Sequence, residues 1–250
     1  MHLGMPRASR YLLSGYTYHL TQRCHNRAFL LRFARDRDAY REWLRVGAKR
    51  HGVAVYGFCI TCNHAHIVVH VDAVDAVAEL MRLTAGAGAQ QYNRRKGARG
   101  AFWEDTYHCT IVESGKHLWN CLQYVDLNMV RAGVVSHPAE WRWSSYGELM
   151  GTRRRYRILA TERLLESLGG VSLEELRSTY VESLQARLAS TGNVREPHWT
   201  EALAVGSRDF VGAVKRQYRH RSRFVVEQAA VGPAEGTWTI RDFREAYGVF

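Results

Sequence analysis

The sequence is short of the residues that staple a chain or interrupt it. Proline occurs 4 times in 250 residues, too rarely for a linker-type or polyproline chain. Cysteine occurs 5 times. The odd, scattered set of Cys24, Cys59, Cys62, Cys109 and Cys121 argues against a disulfide framework and for reduced thiols. No run of about eighteen apolar residues is present, and Met1 to Ser14 lacks the apolar centre of a secretory leader. These absences point to a cytoplasmic protein with no membrane partner. Internal repeats and low-complexity tracts are also missing, which excludes a solenoid. The last deficit is acidic: 24 Asp and Glu stand against 35 Lys and Arg, a formal charge of +11. Such a chain favours a polyanionic partner, because neutralising phosphates releases counterions.

What remains is ordinary for a folded chain, with 46% hydrophobic residues. The length suits one large domain or a domain with an appendage. Tyr16 to Thr21 alternates like a strand, and Asp36 to His51 repeats apolar residues at helical spacing before Gly52. Val53 to Cys59 and His64 to Val71 form a predicted antiparallel hairpin. Asp75 to Tyr92 is a helix weakened by Gly86 and Gly88, each costing about 1 kcal/mol relative to alanine. Phe102 to Val112 resumes as strand, and Lys116 to Arg131 is a helix stopped by Gly133. Strand, helix, strand, strand, helix, strand, helix is the split βαβ order of an α+β, ferredoxin-like antiparallel sheet with helices on one side. Residues 1–150 make this unit, closed by Trp141 to Tyr146. Residues 151–250 read as a mainly helical accessory region, with helices at Thr161 to Leu168, Ser172 to Leu188 and Arg208 to about Arg219.

The chemistry concentrates in two short stretches. His64 and His66 lie two apart on a strand, so both imidazoles project from one face, which is expected to look outwards. Tyr124 and Asn128 lie four apart on a helix, which puts a phenol and an amide oxygen one turn from each other. If the two faces meet, His64, His66 and Asn128 supply three donors to a divalent ion beside Tyr124. The plainer alternative is a half-buried helix tyrosine and a solvated asparagine. His70 shares the histidine face but sits roughly 13 Å beyond His66, so it reads as a surface residue. Cys59 and Cys62 invite a zinc reading with the histidines, but a strand sends these side chains to different faces. Asp126 reads as a solvated carboxylate.

Asn63-His64-Ala65-His66 and Tyr124-Val-Asp-Leu-Asn128-Met-Val-Arg-Ala-Gly133 together resemble the paired motifs of REP-associated tyrosine transposases, single-tyrosine HUH enzymes related to the IS200/IS605 transposases. The similarity runs from about Arg10 to Tyr146 and takes in Trp103 to His108. Two positions depart from the pattern: Cys62 and Met129 stand where proline is usual, which questions the local backbone but touches no functional atom. The resemblance implies an HUH endonuclease fold. It also implies attack by Tyr124 on a phosphodiester of single-stranded DNA, a 5′-phosphotyrosine intermediate, a Mg²⁺ or Mn²⁺ cofactor and a palindromic repeat folded as a hairpin. A single large chain completing its own site favours a monomer over a tyrosine-exchanging dimer.

Three basic clusters are candidates for phosphate contact: Arg94, Arg95, Lys96 and Arg99; Arg153, Arg154 and Arg155; and Lys215, Arg216 and Arg219. Tyr156 or Tyr218 would be available to stack on bases. The competing reading is a non-catalytic nucleic-acid module on the same sheet. Such modules use exposed aromatics on central strands, whereas this strand carries His64, His66 and Val68. A hydrolase built on the histidine pair would want further His or carboxylate ligands, and the sequence offers none.

Overall fold

The computed structural model describes residues 12–190, 194–218, 221–229 and 236–242. Its first half follows the expected order: β1 (Tyr16–Arg23), α1 (Ala34–His51), β2 (Ala54–Ile60), β3 (His64–Val71), α2 (Val74–Met81), α3 (Gly88–Lys96), β4 (His108–Val112) and α4 (Lys116–Asp126). The first four strands lie in the order β2-β3-β1-β4, all antiparallel, which is the ferredoxin-like arrangement. α1 ends where expected, on Gly52 in the left-handed region at φ 64°. The glycines of the second helix do not break it. A π-helical segment, Arg82–Ala87, carries the helical path from α2 into α3. The first basic cluster, Arg94 to Arg99, is therefore helical as far as Lys96, and Gly97 caps the helix. The strand expected from Phe102 begins only at His108, because Trp103 is drawn away to bridge Cys24.

Two expectations about the sheet are corrected. Helices cover both of its faces, not one: β2 is buried along its whole length. α4 lies on the face that carries His66, Val68 and Gly57. A methyl at Gly57 would meet Leu122 Cδ2 of α4 at 2.7 Å, so only glycine allows this approach. α1 and α2 cover the opposite face. The histidine face is therefore an interior surface. α4 binds it through Leu118, Cys121, Leu122 and Val125, an i, i+3, i+4, i+7 stripe that is wholly buried, each leucine contributing about 1.5–3 kcal/mol.

The second correction concerns the C-terminal region, which is not helical alone but adds three strands to the sheet. After α5 (Asn128–Arg131), α6 (Tyr146–Leu149), α7 (Thr161–Ser167), α8 (Leu173–Ser190) and α9 (His198–Glu201) come β5 (Ala204–Gly206), α10 (Arg208–Gln217), β6 (Phe224–Gln228) and β7 (Trp238–Asp242). β5 pairs in parallel with β4, and the complete sheet reads β2-β3-β1-β4-β5-β7-β6. β5 is too short to show alternation, and the β-branched residues of Phe224–Gln228 and Trp238–Asp242 are its partners' only local signal. α8 packs outside α4, where the Tyr180 hydroxyl donates to Asp126 at 2.7 Å. Among the described residues no helix is long and apolar enough to cross a membrane.

Candidate active site

The β2–β3 turn sets up His64. Thr61 Oγ1 accepts from the His64 amide at 3.0 Å, which ties the turn closed. Asn63 Nδ2 donates to the Arg27 carbonyl at 3.2 Å, so Asn63 Oδ1 faces His64 Nδ1, 2.7 Å away. That contact makes His64 Nδ1 the donor and leaves Nε2 bare. Cys62, at a position where proline is usual in the resembling family, sits in this turn with its carbonyl accepting from Leu31 at 2.8 Å. Burial, reinforced by the charge of Arg23, pulls the His64 pKa down to about 4, so the ring is neutral near pH 7. Burial likewise holds His66 well below its ordinary value.

Tyr124 and Asn128 arrive from the other side. α4 stops at Leu127, whose backbone (φ −78°, ψ 1°) leaves the helical region before α5 resumes at Asn128. The Arg131 guanidinium bridges this break, donating to the Tyr124 carbonyl at 2.6 Å and lying over the Tyr124 ring at 4.0 Å. Asn128 Nδ2 donates to His66 Nε2 at 2.9 Å. The Tyr124 ring centroid lies 6.0 Å from that of His66, and the His64 and His66 rings are 4.9 Å apart. The two sequence motifs thus meet: His64, His66, Tyr124 and Asn128 line one open groove of about 750 Å³. Burial raises the Tyr124 phenol pKa, opposed by the charge of Arg131. Met129, the other position where proline is usual, is buried, and its carbonyl accepts from Val134 at 3.0 Å.

A divalent ion fits the donors present. Two neutral imidazoles and an amide converge, and the far nitrogen of each ring is already hydrogen-bonded, as ligating histidines require. Among the described residues no three His, Cys, Asp or Glu side chains group to hold a metal, so the amide of Asn128 is needed as a third donor. This also removes the zinc reading. Cys59 is buried and its thiol pKa is pushed up by desolvation, while Cys62 Sγ receives Arg37 Nη1 at 3.6 Å. His70 stays outside the site, half-buried beside Thr17 Oγ1 at 3.2 Å. Asp126 is not solvated. It is 2% exposed, holds Tyr180 and Ser145, and burial lifts its pKa to about 7.

Sequence reading missed three contributors. His19 on β1 is fully buried, with Nε2 at 2.9 Å from His66 Nδ1 and Nδ1 at 2.8 Å from the Trp199 carbonyl. Desolvation lowers its pKa to about 3. Trp199 reaches the site from α9, its ring 6.3 Å from Tyr124. Arg131 was visible inside the second motif but carried no distinguishing pattern. Strand alternation could have put His19 on the same face as Thr17 and Thr21, but not beside His66.

The groove's cations also differ from the basic clusters. Arg23, Arg27, Arg131 and Arg195 line it. Arg94, Arg99, Arg154, Arg155 and Arg216 are exposed elsewhere, and Lys215 is half-buried. Arg95 is ion-paired with Asp36, and Lys96 lies over Phe33 at 5.2 Å. Arg153 turns inwards, donating to the carbonyls of Arg142 at 2.7 Å and Ser144 at 2.6 Å and pairing with Glu148 at 3.1 Å. Arg219 lies outside the described residues. Tyr156 is 70% exposed, whereas Tyr218 is buried against Phe224 and cannot stack on a base.

No curated protein matches the chain. Solved structures similar to the chain include the following two. One is a REP-associated tyrosine transposase bound to a REP hairpin, 16% identical, covering 59% of this chain and 86% of its own at a TM-score of 0.47. The other is a candidate transposase from Deinococcus radiodurans R1, 15% identical, covering 42% of this chain and 84% of its own at a TM-score of 0.33. The family model described as "Transposase IS200 like" matches residues 13–128, from the start of β1 to Asn128. That segment, which contains both motifs, is similar to the IS200-like transposase family.

Proposed function

We propose that the protein is a metal-dependent endonuclease and strand transferase for single-stranded DNA, acting on hairpin repeats through a 5′-phosphotyrosine. The observation that carries this reading is the meeting of Tyr124 with His64, His66 and Asn128 at one groove. Tyr124 Oη attacks phosphorus; its O–P bond forms, the bond to the 3′-oxygen breaks, and that oxygen leaves as a 3′-hydroxyl after taking a proton. Attack by another 3′-hydroxyl reverses the step and releases the phenol. A phenol at its ordinary pKa near 10 is about a thousandth ionised at pH 7, and burial makes ionisation harder. Arg131 opposes that penalty and offers a positive charge to the phosphate oxygens. His64 and His66 would hold a Mg²⁺ or Mn²⁺ ion through Nε2, and Asn128 would supply its amide oxygen as the third donor. When bound, the ion supplies Lewis-acid polarisation of the scissile phosphate.

The groove arginines Arg27, Arg23 (paired with Glu104) and Arg195 (paired with Glu201) would contact backbone phosphates. All four site residues come from one chain, which supports a monomer acting in cis. The alternative, a module that stacks bases on an open sheet, is disfavoured because α4 and α9 cover the relevant face. The test is incubation with labelled hairpin DNA carrying a single-stranded flank, with Mn²⁺ or Mg²⁺, then denaturing electrophoresis. An adduct that survives denaturation and vanishes in Tyr124→Phe is the expected result. Hairpin binding without any adduct, in either metal, would sink the reading.

A further inference from the structure

We propose that His19 is a positioning residue that fixes the tautomer of His66, and that it does so by borrowing the backbone of Trp199. The inference rests on the reading of His66 as a metal ligand. It follows from which atoms can donate. The Trp199 carbonyl only accepts, so His19 Nδ1, 2.8 Å away, carries a proton. A neutral imidazole with its proton on Nδ1 has a bare Nε2, and that atom can only accept. His66 Nδ1, 2.9 Å from it, must therefore donate. The proton of His66 is thereby placed on Nδ1, and its Nε2 lone pair points at Asn128 and the groove.

Other contacts hold this chain of bonds in place. The His19 and His66 rings lie nearly parallel, with centroids 5.0 Å apart and planes 17° off parallel. The Trp199 carbonyl also faces Thr110 Oγ1 at 3.1 Å, and Thr110 Oγ1 lies 2.7 Å from the Ala202 carbonyl, so both ends of α9 are pinned to β4. The two histidines are thus oriented by different parts of the molecule. His64 is set by its own turn, through Asn63. His66 is set by a residue 180 positions from His19 in the chain. Without His19, nothing at Nδ1 keeps the His66 proton away from Nε2, where it would block coordination.

The full-length protein, labelled with ¹⁵N-histidine and free of metal, reports the tautomers through ring proton–nitrogen correlations. His19 and His66 are expected with the proton on Nδ1. Mn²⁺ affinity is then measured by titration calorimetry for wild type, His19→Phe and His19→Gln. His19→Phe should lose roughly 10–100-fold in affinity and let the His66 proton move to Nε2. His19→Gln, whose amide can accept from His66 and donate to Trp199, should keep most of the affinity. A wild-type His66 protonated on Nε2, or a folded His19→Phe binding Mn²⁺ as tightly as wild type, overturns the proposal. If His19→Phe does not fold, the wild-type tautomer and His19→Gln decide it. Wild type that binds no Mn²⁺ overturns the metal reading and takes this proposal with it, whereas a contrary tautomer overturns the relay alone.

Discussion

Arg131 is the residue on which Tyr124 most depends. It touches that tyrosine twice, at the ring and at the carbonyl, and it is the leading charge that opposes desolvation of the phenol. Arg131→Gln keeps a donor of similar reach but removes the charge. The rate of adduct formation at saturating protein is expected to fall about 10²–10³-fold, with hairpin binding little changed. Quenched single-turnover reactions measure this, and a wild-type rate would remove Arg131 from the chemistry. At this scale the sequence was most informative where spacing is local. His64 with His66 and Tyr124 with Asn128 each declare themselves within five residues. His19 could not, because its partners lie 47 and 180 residues away and a buried histidine on a strand looks like any other. Asp126 failed for a related reason: its environment is made by α8, and no rule of helical phase brings Tyr180 to it.

At the level of elements, β3 and α4 form a sandwich whose filling is the candidate site, and Gly57 on neighbouring β2 sets how closely α4 approaches the sheet. Gly57→Ala would press a methyl into Leu122 Cδ2, destabilising the fold by about 1–3 kcal/mol. It should also loosen the Tyr124 helix from the histidines. Urea unfolding measures the first effect, and a midpoint equal to wild type would show that α4 shifts freely. The core elements from β1 to α4 were legible because their periods are long and their stops are glycines. The break at Leu127 was not: Tyr124 and Asn128 keep helical spacing across it, so the pattern reads through. β5 was hidden by its length, since three residues carry no period, and its place in the sheet depends on pairing with a strand some ninety residues earlier.

Across the whole molecule, the last hundred residues hold the sheet together. A chain ending at residue 150 would uncover β4 along the edge that β5 occupies and expose His19 and Thr110. It is expected to aggregate or to lose cooperative unfolding, while a soluble fragment melting like the full chain would establish residues 1–150 as an independent domain. His198 gives this region a pH signature. Burial first, then the charges of Arg187, Arg241 and His117, lower its pKa to about 4, against about 6.5 in an unfolded chain. Between these values the unfolded state binds the additional proton, so stability falls as the pH falls from about 6.5 to about 4. The loss is on the order of 2–3 kcal/mol from this residue, and His198→Gln should flatten that part of the urea midpoint against pH. A slope unchanged by the substitution would assign it to other histidines.

The bond between His19 and the Trp199 carbonyl has a consequence in time. A ribosome adds about 5–20 residues per second, so a growing chain carries its tyrosine and both groove histidines for several seconds before Trp199 is made. Through that interval the imidazole nearest the asparagine has no fixed proton. A product released before Trp199 would hold the tyrosine and both histidines without the carbonyl that orders them.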